Sequence, residues 1–338
     1  MKTAGNCRSL VMFRVFVICL CLLAAGGAAA RCTGTDMRDR LTPEAEARLT
    51  REIKQVPFAY GNHWVATKGN RRIHVIGTQH TGDSRMRAAM RNLTPVIRSA
   101  DAVLLEVTQQ KLATLDTVLR STPGLLTIPK GPGLDTMMRA EDWRLLSVRM
   151  AMHGVDERVL ARMQPWFISM SLSTSGCGGR GLFAYRGLDD RIEKIAIRAK
   201  VPIGSLENVG DGMRALSAIP IRDQIQLLLL DLKSEVNYDD QVVTMANAYF
   251  EQRLAEAMLI ESWTLYRDLK ISRSEVTRLL RQFDAHILDR RNRAWMPVIL
   301  ASDAPVLVVA VGAAHLPGKT GILNLLKRQG YSLSRADF

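Results

Sequence analysis

The sequence predicts a single α/β domain whose central sheet is assembled from the N- and C-terminal halves of the chain around a largely helical middle. Three observations lead there. Extended segments rich in β-branched residues lie near the two ends, at residues 62–68, 71–76, 102–107 and 306–311, and the last is wholly apolar, as a strand buried on both sheet faces is. The stretch from 109 to 281 is dominated by helical apolar spacing, with one further short strand at 202–206. No internal linker is long or polar enough to demand two domains. With 338 residues, 47% of them hydrophobic, the chain can bury a sizeable core without metals or disulfides.

Residues 1–30 differ in kind. Lys2, Arg8 and Arg14 make a basic start, residues 15–25 are apolar, and Ala28, Ala29 and Ala30 supply small residues ahead of Arg31. That is the pattern of a secretory signal peptide, so residues 31–338 are expected to be the mature domain, periplasmic or secreted. Only sixteen uncharged residues follow Arg14, short of the ~20 that a spanning helix needs. The membrane is therefore expected to matter only through the leader during export. Three of the five cysteines (Cys7, Cys19, Cys21) leave with the leader. Cys32 and Cys177 remain in an oxidising compartment, where they either pair or stay separate thiols. The formal charge is +13, but Lys and Arg are scattered, with no interleaved aromatics. This is a solvated surface rather than a nucleic-acid interface.

Along the mature chain, residues 43–54 read as a helix with Thr42 as N-cap and Pro43 in its first turn. Gly69 and Asn70 separate the first two extended segments and signal a hairpin. The second segment ends in Gly77-Thr78-Gln79-His80. A helix over 85–99 leads to the strand at 102–107, where Glu106 closes an apolar run. A carboxylate there is costly unless paired, hydrogen-bonded or metal-bound; the alternative is an exposed edge residue. Helical pattern follows to about 186, broken at 122–124 and 130–133. Leu134, Met137, Met138, Trp143, Leu146 and Met150 fall at core spacing. Residues 176–181 match G-x-G-x-x-G, but no strand precedes them, so the dinucleotide-binding context is missing.

Gly187-Leu188-Asp189 opens an amphipathic helix to 200, and the strand at 202–206 ends at Glu207, a second carboxylate at a strand end. Residues 214–281 read as helical. A helix over 285–300 carries Arg291, Asn292 and Trp295. The strand at 306–311 then runs into Gly312-Ala313-Ala314-His315, followed by a helix at 322–328 and a short segment around Tyr331. The Gly-x-x-His element thus occurs twice, each time at the end of a strand. Carboxyl ends of strands are where open α/β sheets place ligands; the alternative for His315 is a helix cap.

No G-x-S-x-G elbow, H-E-x-x-H helix or P-loop is present. What remains is His80, His315, Glu106 and Glu207, with Asp189 and Arg291 as neighbouring candidates. Histidines and carboxylates with few cysteines are the ligands of a catalytic divalent metal. The same set also works without metal, a histidine moving the proton and a carboxylate orienting it.

The chain resembles the TraB/GumN family, related to Tiki-type metalloproteases and more distantly to erythromycin esterase. The matching pieces are Gly77 to His80, Glu106 with its neighbours, Pro165-Trp166, Gly187 to Asp189, Leu206-Glu207, Arg291-Asn292 and Val311 to Gly318. The resemblance implies a sheet of two similar halves with both Gly-x-x-His elements in one cleft. It also implies a metal-dependent hydrolase, a peptidase in particular, using manganese or cobalt. In that reading His80 and His315 bind the metal with Glu207 or Glu106, the set with Glu207 being the one adopted, and the remaining carboxylate, then Glu106, activates water. Arg291 stabilises developing charge, Asn292 orients substrate or a ligand, and Asp189 is a further catalytic candidate. Glu251-Gln252 replaces a Gly-Asp pair common in the family, which touches only helix-lined substrate contacts. The expected partner is a peptide or small envelope substrate. Two rivals stand beside this: a non-catalytic envelope protein that binds a peptide or saccharide, and a metal-free esterase-like hydrolase.

Overall fold

The computed structural model describes residues 33–80, 82–172, 187–234, 236–267 and 272–338. The leader, Cys32, Cys177 and the glycine-rich stretch at 176–181 lie outside them. Six strands form one mixed sheet: β1 (His63–Lys68), β2 (Arg71–Thr78), β3 (Ala102–Leu105), β4 (Ile203–Ser205), β5 (Val306–Gly312) and β6 (Ser332–Arg335). Their spatial order is β4-β3-β5-β2-β1-β6. The first four in that order run parallel, and β1 pairs antiparallel with both β2 and β6. The β1–β2 hairpin turns at Gly69, whose φ of +56° favours glycine. The C-terminal strand β5 therefore lies between two N-terminal strands, the assembly expected from the sequence.

Five helices frame the site: α1 (Met86–Arg98), α2 (Leu188–Ala199), α3 (Tyr238–Phe250), α4 (Arg290–Ala301) and α5 (Ile322–Arg328). Strand β5 alternates strictly between faces. Leu307, Val309 and Val311 pack with Ile73 and Val75 against Trp295 and Ile299 of α4 and Ile322 and Leu326 of α5. Val308 and Ala310 face Leu93 and Ile97 of α1 and Leu188 and Ile192 of α2. Burial on both faces explains why the strand is apolar throughout. The methionine-bearing helices of the middle build a separate cluster around Leu134, Leu146, Met150 and Leu228.

The helix at the N-terminus forms as expected over Pro43–Ile53, with the Thr42 side chain accepting from the Ala45 N–H. Three expectations need correction. The continuous helix over 214–281 is five, because Asn237 and Ser272 cap new starts and Gln252, at φ +60°, ends α3. The helix over 285–300 begins instead with a π turn, Ala285–Asp289, ahead of α4. Strands β3 and β4 stop one or two residues early, leaving Glu106 and Glu207 just beyond the ladder. Among the described residues no helix is long and apolar enough to cross a membrane.

Candidate active site

Four parallel strands end on the same edge of the sheet, and each delivers at least one group to it. His80 follows β2, Glu106 follows β3, Glu207 follows β4, and Gly312 and His315 close β5. The residues after β3 and β4 stay in register: Glu207 N–H donates to Glu106 O at 3.1 Å. Helix α2 starts directly against the first motif, its Leu188 N–H donating to Gln79 O at 3.0 Å. That approach needs Gly187, where a Cβ would stand 2.4 Å from Gln79 O and 2.6 Å from His80 Cα. The consequence is a bond between His80 Nδ1 and Asp189 Oδ1 at 3.2 Å, with the His80 ring 62% exposed at the cleft mouth.

Arg291 sits among the carboxylates. Its Nη2 donates to Glu106 Oε2 at 2.7 Å and Glu207 Oε1 at 2.9 Å, and its Nε to Glu207 Oε2 at 3.0 Å. Its Nη1 donates to Ile287 O at 3.2 Å and faces His315 Nε2 at 3.3 Å. Five N–H groups are all that a guanidinium has, and all five are engaged. Trp295, one helical turn on, donates its indole N–H to Glu207 Oε2 at 3.0 Å and lies under the guanidinium at 4.7 Å. Glu106 Oε1 accepts the Gly312 N–H at 2.6 Å.

His315 is 4% exposed and fully engaged. Asn292 Nδ2 donates to Thr320 O at 3.0 Å and to His315 O at 3.4 Å, which leaves its Oδ1 to accept from His315 Nδ1 at 2.7 Å. The ring is thus the Nδ1–H tautomer, with Nε2 accepting from Arg291. Burial, with the charges of Arg291 and His80 beside it, pushes its pKa down to about 4 against the pull of Glu106. His80 goes the other way. The surrounding protein disfavours its charge, but the Asp189 hydrogen bond and charge, helped by Glu106, raise it to about 9.

Burial also works against the charge of Glu106, yet the positive groups around it and the Gly312 amide hold it at about 2. Since His315 is neutral above about pH 4, Arg291 and His80 carry that effect near neutrality. Burial raises Glu207 despite the guanidinium. Gly312 is the meeting point: a Cβ there would lie 3.3 Å from Glu106 Oε1, 3.5 Å from His315 Cδ2 and 4.0 Å from His80 Nε2.

Every residue singled out in the sequence (His80, Glu106, Asp189, Glu207, Arg291, Asn292 and His315) therefore stands in one constellation. Several do different work there from that expected. Asn292 is 1% exposed and orients His315, the second of the two alternatives expected of it, with no face towards substrate. Arg291 has no N–H left to offer a developing anion. The divalent-metal set of His80, His315 and Glu207 does not fit as the side chains stand, because the guanidinium fills the space between the carboxylates and both His315 nitrogens are occupied. Among the described residues no group of three or more His, Cys, Asp or Glu is placed to hold a metal ion. Sequence reasoning missed Trp295 as a Glu207 partner, although its spacing of four from Arg291 put both on one helix face. It also missed Tyr249, whose O–H donates to Gly77 O at 3.0 Å, and Thr78, whose buried hydroxyl has no partner among the described residues.

The cleft holds a cavity of ≈ 170 Å³ bordered by His80, Glu106, Asp189 and Glu207. Two relatives match the chain: the uncharacterized protein YbaP of Escherichia coli (strain K12) and that of Shigella flexneri. Each is 25% identical over 277 residues, covering 79% of this chain and 94% of the relative. The TraB/PrgY/gumN family pattern matches residues 62–335, from the start of the first hairpin to the last strand and across the whole constellation. The chain belongs to the TraB/PrgY/gumN family.

Proposed function

We propose that this protein is an exported hydrolase of carbonyl substrates, a peptidase in the first instance, working in the cleft around Gly312. The observation that carries the reading is the pair of opposed charges facing that one glycine, His80 protonated and Glu106 ionised. Environments that push two titratable groups apart mark the acid and the base. Glu106 Oε1 accepts a hydrogen bond from the attacking water and takes its proton as the water adds to the carbonyl carbon; held at about 2, it releases that proton to solvent, and His80 is reprotonated from solvent once the leaving group has departed. The His80 Nε2–H stabilises the developing oxyanion and then delivers a proton to the leaving group. Asp189 fixes the ring's orientation and keeps it charged. Arg291 and Trp295 hold the carboxylates in place without touching substrate.

A manganese or cobalt ion, which the likeness to Tiki-type proteins suggests, would supply carbonyl polarisation and water activation. It would first require Arg291 to release Glu207 and His315. Export by the signal-peptide-like leader puts the substrate outside the cytoplasm, as a peptide or small envelope molecule.

The test is cleavage of a peptide library and of simple esters by residues 31–338, with and without a chelator. Hydrolysis that survives the chelator and disappears in Glu106→Gln and His80→Gln variants is the expected result. Activity lost to the chelator and restored by manganese would move the chemistry to a metal. A ligand held without turnover in either condition would make the protein a binder.

A further inference from the structure

We infer that the cavity beside His80 and Glu106 is a side-chain subsite. It takes one apolar group of leucine-to-phenylalanine size, while the Thr78 hydroxyl donates to a carbonyl of the same substrate. The inference rests on the hydrolase reading for the position of the reacting bond, and deepens it to a substrate class.

Two independent observations carry it. The first is Thr78, the last residue of β2, which borders the cavity, is 3% exposed, and has an Oγ1 with no hydrogen-bond partner among the described residues. A buried hydroxyl left unpaired is a cost that folded proteins seldom keep without a use. Its place in the sheet is fixed by pairing with Gly312 in the parallel register, so it is presented at the same strand edge as the acid–base pair. A hydroxyl there can donate to a carbonyl oxygen.

The second is the wall. Beyond the charged border, the cavity is closed by Val107, Leu112, Leu115, Val209 and Met213, contributed by the segments after β3 and β4. Among the described residues no lysine or arginine borders it, and three carboxylates do, those of Glu106, Asp189 and Glu207, against the one cation, His80. An acidic side chain is therefore repelled, and a basic one would have to abandon its hydration against the aliphatic wall. The volume of ≈ 170 Å³ compares with the roughly 150 Å³ apolar cavity that accepts benzene. One ring or one branched aliphatic group fits, and a two-ring indole does not.

The experiment uses residues 31–338 and two readouts. Binding of N-acetyl amino-acid amides bearing Gly, Ala, Leu, Phe, Asp or Lys side chains is measured by calorimetry on the His80→Gln variant, so turnover is not needed. Hydrolysis of the corresponding p-nitrophenyl esters is measured on the unmodified protein. Leu and Phe are expected to bind roughly tenfold or more tightly than Gly, with Asp weakest. Met213→Trp should abolish the Leu and Phe advantage by filling the cavity. Thr78→Val should weaken binding of every amide by roughly tenfold while the melting temperature stays level or rises, because a methyl replaces an unpaired hydroxyl. Thr78→Ser, which keeps the donor, should restore binding.

Equal binding of all six amides would overturn the inference, as would a Thr78→Val protein that binds normally or one that melts lower with Thr78→Ser as its cure. Hydrolysis without side-chain preference would sink the subsite and leave the hydrolase. Preferential binding with no hydrolysis would keep the subsite and sink the hydrolase.

Discussion

Replacing Arg291 by Met should convert the centre from a closed ion cluster into two buried carboxylates with only His80, at the cleft mouth, left as a cation beside them. The magnitude can be worked from Glu106. Its side chain is 18% exposed, and its carboxyl is held at about 2 against an ordinary 4.5. At about 1.4 kcal/mol per tenfold change in proton affinity, that difference corresponds to roughly 3 kcal/mol, shared among Arg291, His80 and the Gly312 amide, while its largest contribution, the His315 charge, is absent near neutrality. Removing one partner of a buried ion pair costs ~3–5 kcal/mol in general, so a loss in that range is expected near pH 7. The sign follows from linkage. A carboxyl depressed in the folded state contributes fully above its unfolded pKa, and the contribution is lost as pH falls from 4.5 towards 2. The penalty of the variant should therefore shrink in acid. Loss of the Arg291 charge also lets His315 rise from about 4, which begins to narrow the gap below about pH 6.5. Urea unfolding at several pH values between about 7 and 2.5, followed by circular dichroism, gives the penalty directly. The triple variant Arg291→Met, Glu106→Gln, Glu207→Gln should recover most of it, since no buried charge remains. A penalty below about 1 kcal/mol at neutral pH, or one that does not change with pH, refutes the claim that Arg291 neutralises this centre.

Other outcomes follow from the same geometry. Asp189→Asn should lower the His80 titration midpoint from about 9, as read by NMR of the ring protons. In the unaltered protein the rate should hold up to about pH 9 and then fall as His80 loses its proton, and in the variant the fall should come earlier. Gly312→Ala is compatible with a backbone φ of −48°, yet its methyl would stand 3.3 Å from Glu106 Oε1. It should fold with little change in melting temperature and lose at least about tenfold in kcat/KM, roughly 1.4 kcal/mol of barrier. Asn292→Ala strands the buried Nδ1–H of His315 and should cost ~1–3 kcal/mol in urea titrations. Asn292→Asp should instead raise the His315 titration midpoint, because a charged acceptor favours the imidazolium.

The parts of the fold that depend on local signals were legible in the sequence. The Gly69-Asn70 hairpin, the Thr42 cap and the doubly buried β5 are each set by a few adjacent residues. The helix boundaries of the middle are not legible, because its leucine pattern continues across Asn237 and Ser272, where capping side chains restart the helix. Which residues meet was also legible, since repetition of Gly-x-x-His at two strand ends pointed to one edge. What those residues do there was not. Glu106 and Arg291 are 185 residues apart, and no spacing rule says that one guanidinium will use every N–H on its own protein. The two histidines make the point most sharply. They occupy equivalent places in near-identical motifs, yet one is held charged to about pH 9 and the other neutral down to about 4. Asp189, brought in by the close approach at Gly187, decides the first. Burial beside Arg291 and the Asn292 acceptor decides the second. A repeated motif therefore yields an inequivalent pair, and only His80 keeps a nitrogen turned to the cleft. Chemistry that treats the two rings as interchangeable ligands needs Arg291 to move, whereas chemistry that uses one ring and one carboxylate can proceed in the arrangement the chain already adopts.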